Sequence, residues 1–240
     1  MDENEEKGSG ARGSVVGRDA TITEKTGGGR GPLWPMGLAV LVSVGLVALA
    51  AVALTKTHAR SQRSPCEALR VEWLRGEERP VVTNLRGLKR LARTPGGGLE
   101  ARGFDPKESF GAGPVLVNFW MTSCKPCLAE LPSLLGLATR WESHGGALVL
   151  VATDEEKSLI EGFYRRHPGL WPQGGRVFLL WDPGGRVANR MGTSRYPETF
   201  LMAPSGRVVF KVAADRDWES LAARRCLLHT VRRMASSANR

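Results

Sequence analysis

The stretch Val115–Pro132 reads VLVNFWMTSCKPCLAELP and holds two cysteines, Cys124 and Cys127, in a C-x-x-C arrangement. Val115–Phe119 has the length and β-branched content of a buried strand, and it runs through Trp120 into a polar turn. Beyond the turn, Leu128, Leu131, Leu134, Leu135 and Leu137 recur at helical spacing. Cys127 therefore lies inside a helix and Cys124 at its start. Unpaired backbone N–H groups and the positive end of the helix dipole face the Cys124 sulfur and favour its thiolate. In such settings a cysteine pKa falls from about 8.5 to roughly 3.5–7.5, and the thiolate is the species that attacks disulfides. Cys127, along the first turn, is near enough to close a ring with Cys124 and expel a bound partner. The pair reads as a redox dithiol.

Rival readings of the pair are structural zinc, haem attachment and an inert structural disulfide. Zinc asks for four ligands, and here one cysteine pair stands without histidines at finger spacing. Covalent haem needs a histidine after the second cysteine, where this chain has Leu128. No metal and no other cofactor is expected.

The run VNFWMTSCKPCLAELP resembles the thioredoxin superfamily and, within it, the membrane-anchored TlpA/ResA type of thiol–disulfide oxidoreductase. Pro132 stands where that family has its helix-kinking proline, which removes a backbone bond and bends the axis. Asn118 stands where thioredoxin has a buried aspartate, and Glu130 where the ResA-like branch has an acidic residue. Ser123 departs from the pattern, since relatives usually carry tryptophan before the first cysteine. Tyr196-Pro197-Glu198-Thr199-Phe200-Leu201 is a second family-like run. The resemblance makes Pro197 a cis proline lying against the dithiol, where the backbone before it pairs with an extended substrate.

The resemblance also distributes roles. Cys124 is the attacking thiolate and Cys127 the resolving thiol. Glu130, three positions on from Cys127, handles its proton if burial raises the glutamate pKa. Trp120 serves packing and shape. Lys125 adds positive charge near Cys124 with its side chain toward solvent. Pro126 makes the dipeptide between the cysteines similar to that of reducing members, and Tyr196 supports Pro197.

Around this stretch, 240 residues allow one ordinary domain with extras. The net charge of +10 comes mostly from scattered arginines, which fits an Arg-rich soluble domain or a surface that favours anionic headgroups. No nucleic-acid motif accompanies it, so no nucleic-acid partner is expected. Residues 1–32 are polar and glycine-rich, an expected disordered tail. Residues 33–54 carry no charge and would make about 33 Å of helix, enough to cross a hydrocarbon core of about 30 Å. They read as a retained signal-anchor in contact with the lipid bilayer. Arg18, Lys25 and Arg30 before the anchor are matched by Lys56, Arg60, Arg63 and Arg70 after it, so charge does not decide orientation. The resemblance implies a single-pass protein of the cell inner membrane with its catalytic domain on the extracytoplasmic, periplasmic side.

Residues 55–113 read as a linker and a poorly defined extension, with helical pieces at Cys66–Arg75 and Arg86–Leu91 and a loop at Pro95–Gly98. Residues 114–236 read as the thioredoxin-like domain: a mixed α/β central sheet with helices on both faces. Its strands are expected at Val115–Phe119, Ala147–Ala152, Arg176–Trp181, Thr199–Met202 and Val208–Val212. Its helices are expected at Lys125–Glu142, Glu155–Arg166 and Val187–Met191, with a closing helix from Trp218 to about Met234. The even cysteine count allows a second, structural disulfide between Cys66 and Cys226.

The function expected is a membrane-tethered oxidoreductase that reduces disulfides of extracytoplasmic proteins, apocytochrome cysteines in cytochrome c maturation being one candidate. Its partners would be a protein thiol or disulfide client and a membrane electron donor. The alternatives are a thioredoxin-fold copper-delivery or redox-sensing module, and a thiol peroxidase. Copper carriers space their cysteines one residue wider and add a histidine, a pattern that His144, His167 and His229 do not complete.

Overall fold

The computed structural model describes residues 34–61, 64–76 and 79–238, with side chains over 41–54, 64–76 and 79–236. The expected polar tail, 1–32, lies outside the described residues. The chain divides into two compact units, Met1–Arg60 and Ser61–Arg240.

In the first unit, helix α1 (Trp34–Ser61) runs through the stretch expected to be the anchor. From 41 to 54 every residue is exposed, Leu41, Val44, Val47 and Leu54 included, so the helix is apolar all round. Among the described residues no helix is long and apolar enough to cross a membrane. The side chains described in α1 cover a shorter stretch than the expected span 33–54.

The second unit contains, in order, β1 (Glu72–Trp73), β2 (Lys89–Arg93), β3 (Leu99–Gly103), α2 (Pro106–Phe110) and β4 (Val115–Trp120). Then come α3 (Lys125–Glu142), β5 (Ala147–Ala152), α4 (Lys157–Arg166), β6 (Val177–Trp181), α5 (Arg186–Arg190), β7 (Glu198–Met202), β8 (Val208–Ala213) and α6 (Leu221–Ala238). One eight-stranded sheet runs β1-β8-β7-β4-β5-β6-β2-β3. β4, β5 and β6 pair in parallel, and the outer strands add on antiparallel to one another and to this centre.

β4 and β5 are buried along their whole length because helices and loops cover both faces. Alternation along β4 sends Leu116 and Trp120 into one core, with Leu131 and Leu134 of α3, and Val115, Val117 and Phe119 into the other, with Val187 and Met191. The same period of two puts Asn118 on the α3 side, where the dithiol helix packs.

Entry into β4 is tight. A Cβ on Gly113 would lie 1.6 Å from the Gly145 carbonyl oxygen, so only glycine fits there.

The segment expected to be linker and extension, 55–113, contributes β1, β2, β3 and α2 to this unit. Cys66–Arg75 is not a helix; it holds a short 3-10 turn, Glu67–Leu69, followed by β1. Arg86–Leu91 enters β2, and Pro95–Gly98 is the turn of a β2–β3 hairpin. β2 escaped the sequence pattern because basic residues stand on both of its faces. Arg90 and Arg93, both exposed, hold their guanidinium groups over the rings of Phe178 and Trp171 at 5.1 and 4.2 Å, at positions where the alternating pattern would look for apolar residues.

Candidate active site

Cys124 caps α3. Its sulfur accepts the Cys127 N–H at 3.2 Å, in the position where a helix start offers unpaired donors. Pro126 lies in the first turn, where it forfeits no intrahelical bond. Cys124 is half-buried and Cys127 fully buried, and the two are joined in a disulfide. Lys125 points to solvent. Trp120, with no exposed surface, packs edge-on to Phe163 and Tyr164.

The turn before Cys124 is clamped from the loop just past β5. Asp154 accepts from the Thr122 backbone N–H at 3.1 and 3.2 Å and from its hydroxyl at 2.5 Å. On the other side, the Tyr196–Pro197 peptide bond is cis, and the Pro197 carbonyl accepts from Ala214 N–H at 2.9 Å. Glu198 then turns into the protein, where it lies 3.2 Å from Lys211 Nζ and accepts from Ser194 N–H at 3.1 Å. A groove of about 390 Å³ lies beside the turn that precedes Cys124, lined in part by Met121, Ser123, Asp154, Leu159, Gly185 and Tyr196.

Glu130 is the buried ionisable group of α3, with 3% of its surface exposed. Its Oε1 accepts from Asn118 Nδ2 at 2.7 Å, and its Oε2 from Trp218 Nε1 at 3.0 Å and Arg216 N–H at 3.1 Å. Burial pushes its carboxyl up to about 7, against the opposing pull of the Trp218, Arg216 and Asn118 donors; the Asp215 carboxylate adds to the rise. A solvent opening of about 370 Å³, lined by Glu130, Ser133, Asp215 and Arg216 among others, connects it to bulk water.

Cys124, Cys127, Glu130 and Pro197 stand out in the sequence, whereas Trp218, Arg216 and Ser133 do not. The sequence pattern puts Trp218 at the start of the closing helix. That helix begins at Leu221, and the Trp218 indole N–H is spent on Glu130. Nothing local marks this role, because the two residues are 88 positions apart. Cys66 and Cys226 form a second disulfide. Among the described residues no group of three or more His, Cys, Asp or Glu is placed to hold a metal ion.

The model of the AhpC/TSA family matches residues 106–211. The thiol–disulfide oxidoreductase ResA of Bacillus thuringiensis subsp. konkukian is 27% identical over 148 residues, covering 61% of this chain and 73% of its own length. A thiol:disulfide interchange protein DsbE homolog of Paracoccus denitrificans is 39% identical over 101 residues, 42% of this chain and 51% of that one. The chain carries a thioredoxin-fold domain of the AhpC/TSA kind and is a thiol–disulfide oxidoreductase similar to ResA. Among solved structures, a DsbF homologue from Corynebacterium diphtheriae is similar to this oxidoreductase at a TM-score of 0.46 and 16% identity, covering 70% of this chain and 92% of that one.

Proposed function

We propose that this oxidoreductase is tethered to the inner membrane and reduces disulfides of proteins on the extracytoplasmic side. The Cys124 thiolate attacks one sulfur of a client disulfide, forming a mixed disulfide while the client's other sulfur leaves as a thiolate. Cys127 then gives its proton to Glu130, and its thiolate attacks Cys124 Sγ. The products are the Cys124–Cys127 disulfide and a second client thiolate, so the client gains the two electrons that the dithiol loses. A membrane dithiol donor returns two electrons to restore the pair. The client's chain lies in the groove beside Tyr196 and Ser123, with apocytochrome cysteines as the candidate substrate. The apolar, all-round exposed surface of α1 supports the tether, since such a helix needs a lipid or protein environment.

The observation that carries this reading is Glu130: a carboxyl raised to about 7 and one helical turn from the buried Cys127, hence matched to a thiol proton near neutral pH. Cys124→Ser should abolish exchange, and Cys127→Ser should accumulate a mixed disulfide with a client. Trapping by the Cys124 variant instead would reverse the two roles. For the tether, protein in membranes should resist salt and carbonate washes. Release as a soluble form beginning after Ala53 would contradict it.

A further inference from the structure

Arg216 touches both Glu130 and the turn that carries Cys66. Its backbone N–H donates to Glu130 Oε2 at 3.1 Å, while its side-chain Nε donates to the Leu69 carbonyl at 3.2 Å. Its own carbonyl accepts from the Ser133 hydroxyl at 3.3 Å, so its position is held from both sides. Leu69 closes the 3-10 turn Glu67–Leu69 by donating to the Cys66 carbonyl at 3.1 Å, and Cys66 is bonded to Cys226 of α6. A continuous path therefore runs from Cys226 through Cys66, Leu69 and Arg216 to the Glu130 carboxylate. We propose that Arg216 is a positioning residue for Glu130, and that the Cys66–Cys226 disulfide sets that position through the turn Glu67–Leu69. The role in catalysis rests on the reading of Glu130 as the base for Cys127.

Physically, a loop N–H makes a well-aimed donor only when the loop is held. Residues 214–217 form an irregular connection between β8 and α6, entered through Ala214 at a left-handed φ of 67°. The Ala214 N–H on the Pro197 carbonyl and the Trp218 N–H on the Ser133 hydroxyl hold its two ends, and at Arg216 itself the side chain on Leu69 and the carbonyl on Ser133 fix the N–H. The groups that face Glu130 come from every neighbouring element: Asn118 of β4, Cys127 a turn earlier on α3, and Asp215, Arg216 and Trp218 of the connection. Asp217, Glu219 and Ser133 line its solvent opening. Asp215 disfavours the charged carboxyl, and the three donors favour it. The guanidinium itself is spent on carbonyls, Nε on Leu69 and Nη1 on Asp215 at 2.7 Å, so the part of Arg216 that meets Glu130 is its N–H.

The measurement is a titration of the Glu130 side-chain carboxyl by carbon NMR in the full-length oxidised protein, alongside the pH profile of mixed-disulfide resolution. Arg216→Ala should raise the carboxyl midpoint by about one pH unit, the scale of one hydrogen bond to a charged group. Arg216→Gln should restore the wild-type midpoint, because glutamine Nε2 is as many bonds from Cα as arginine Nε and reaches Leu69 without the charge. A Cys66→Ala/Cys226→Ala variant should shift the midpoint the same way, and adding Arg216→Ala should shift it no further. If that variant does not fold, a single glycine inserted after Cys66 keeps the bridge but lengthens the turn, and it should give the same rise. An unmoved midpoint in Arg216→Ala, or an equal rise in Arg216→Gln, overturns the positioning role. A fully additive shift, or none from the lengthened turn, overturns the disulfide's part. A Glu130→Gln resolution profile identical to wild type would sink the base role alone, leaving the carboxyl titration to judge positioning.

Discussion

The indole N–H of Trp218 donates to Glu130 Oε2 at 3.0 Å, joining the β8–α6 connection to the dithiol helix across 88 residues of chain. Both partners are buried, so this contact helps set where the glutamate loses its proton.

Trp218→Phe keeps an aromatic ring there and deletes the donor. The charged form of Glu130 loses a bond that favours it, so its pKa rises above about 7. On the proposed role of Glu130 as base for Cys127, mixed-disulfide resolution should shift to higher pH by about one unit. Rates between pH 5 and 10, with circular dichroism to confirm the fold, decide it; an unmoved profile removes Trp218 from the proton step.

Glu130→Gln should change how stability depends on pH. The folded-state pKa, about 7, lies above the 4.5 of the free group, so the folded protein holds the proton more tightly than the unfolded chain. That preference favours folding fully below about 4.5, is lost as pH rises toward 7, and leaves a penalty on the order of 3 kcal/mol above it. The variant should therefore be more stable than wild type at pH 8, with the difference shrinking or reversing near pH 4. Urea titrations at both pH values read this; a constant difference would mean that Glu130 does not titrate in this window.

The two disulfides should differ in reducibility. Cys66 and Cys226 are fully buried, whereas Cys124 is half-buried. Mild reductant should open Cys124–Cys127 first and leave Cys66–Cys226 until the protein unfolds. The buried bridge spans 160 positions, and deleting it should cost up to roughly 5 kcal/mol by the chain-entropy model. Peptide mapping after timed alkylation gives the order, and simultaneous reduction would contradict it.

Gly113→Ala should be strongly destabilising, because the added carbon would sit 1.6 Å from a backbone oxygen that cannot rotate away. The overpacking cost is about 1–3 kcal/mol or more. A thermal midpoint within a degree of wild type would show that the Gly113–Gly145 contact opens freely.

The dithiol unit was legible because its signals are local. Val115–Phe119 shows the apolar run, Cys124 the helix start, and the leucines after it the 3.6-residue period; the structure places β4 and α3 there. Glu130 was legible as a candidate by position alone. Its surroundings were not, since Asn118, Arg216 and Trp218 converge on it only once β4 and the β8–α6 connection close around α3. β2 and β3 stayed hidden for a different reason: Arg86–Leu91 reads as a helical piece, and the strand shows only once the charged ends of Lys89, Arg90 and Arg93 are seen over aromatic rings.

The Cys66–Cys226 bridge also decides how the second unit carries load. β1 is two residues long, paired only with β8, and is the first strand that a pull from the N-terminal side would meet. Cys66 comes before it. Tension arriving through residues ahead of Cys66 has a covalent path across the sulfur bond into α6, in parallel with the backbone that leads to the Glu72–Lys211 pairing. The short edge strand thus shares its load with α6, and reducing the bridge should lower the force at which the unit yields to traction.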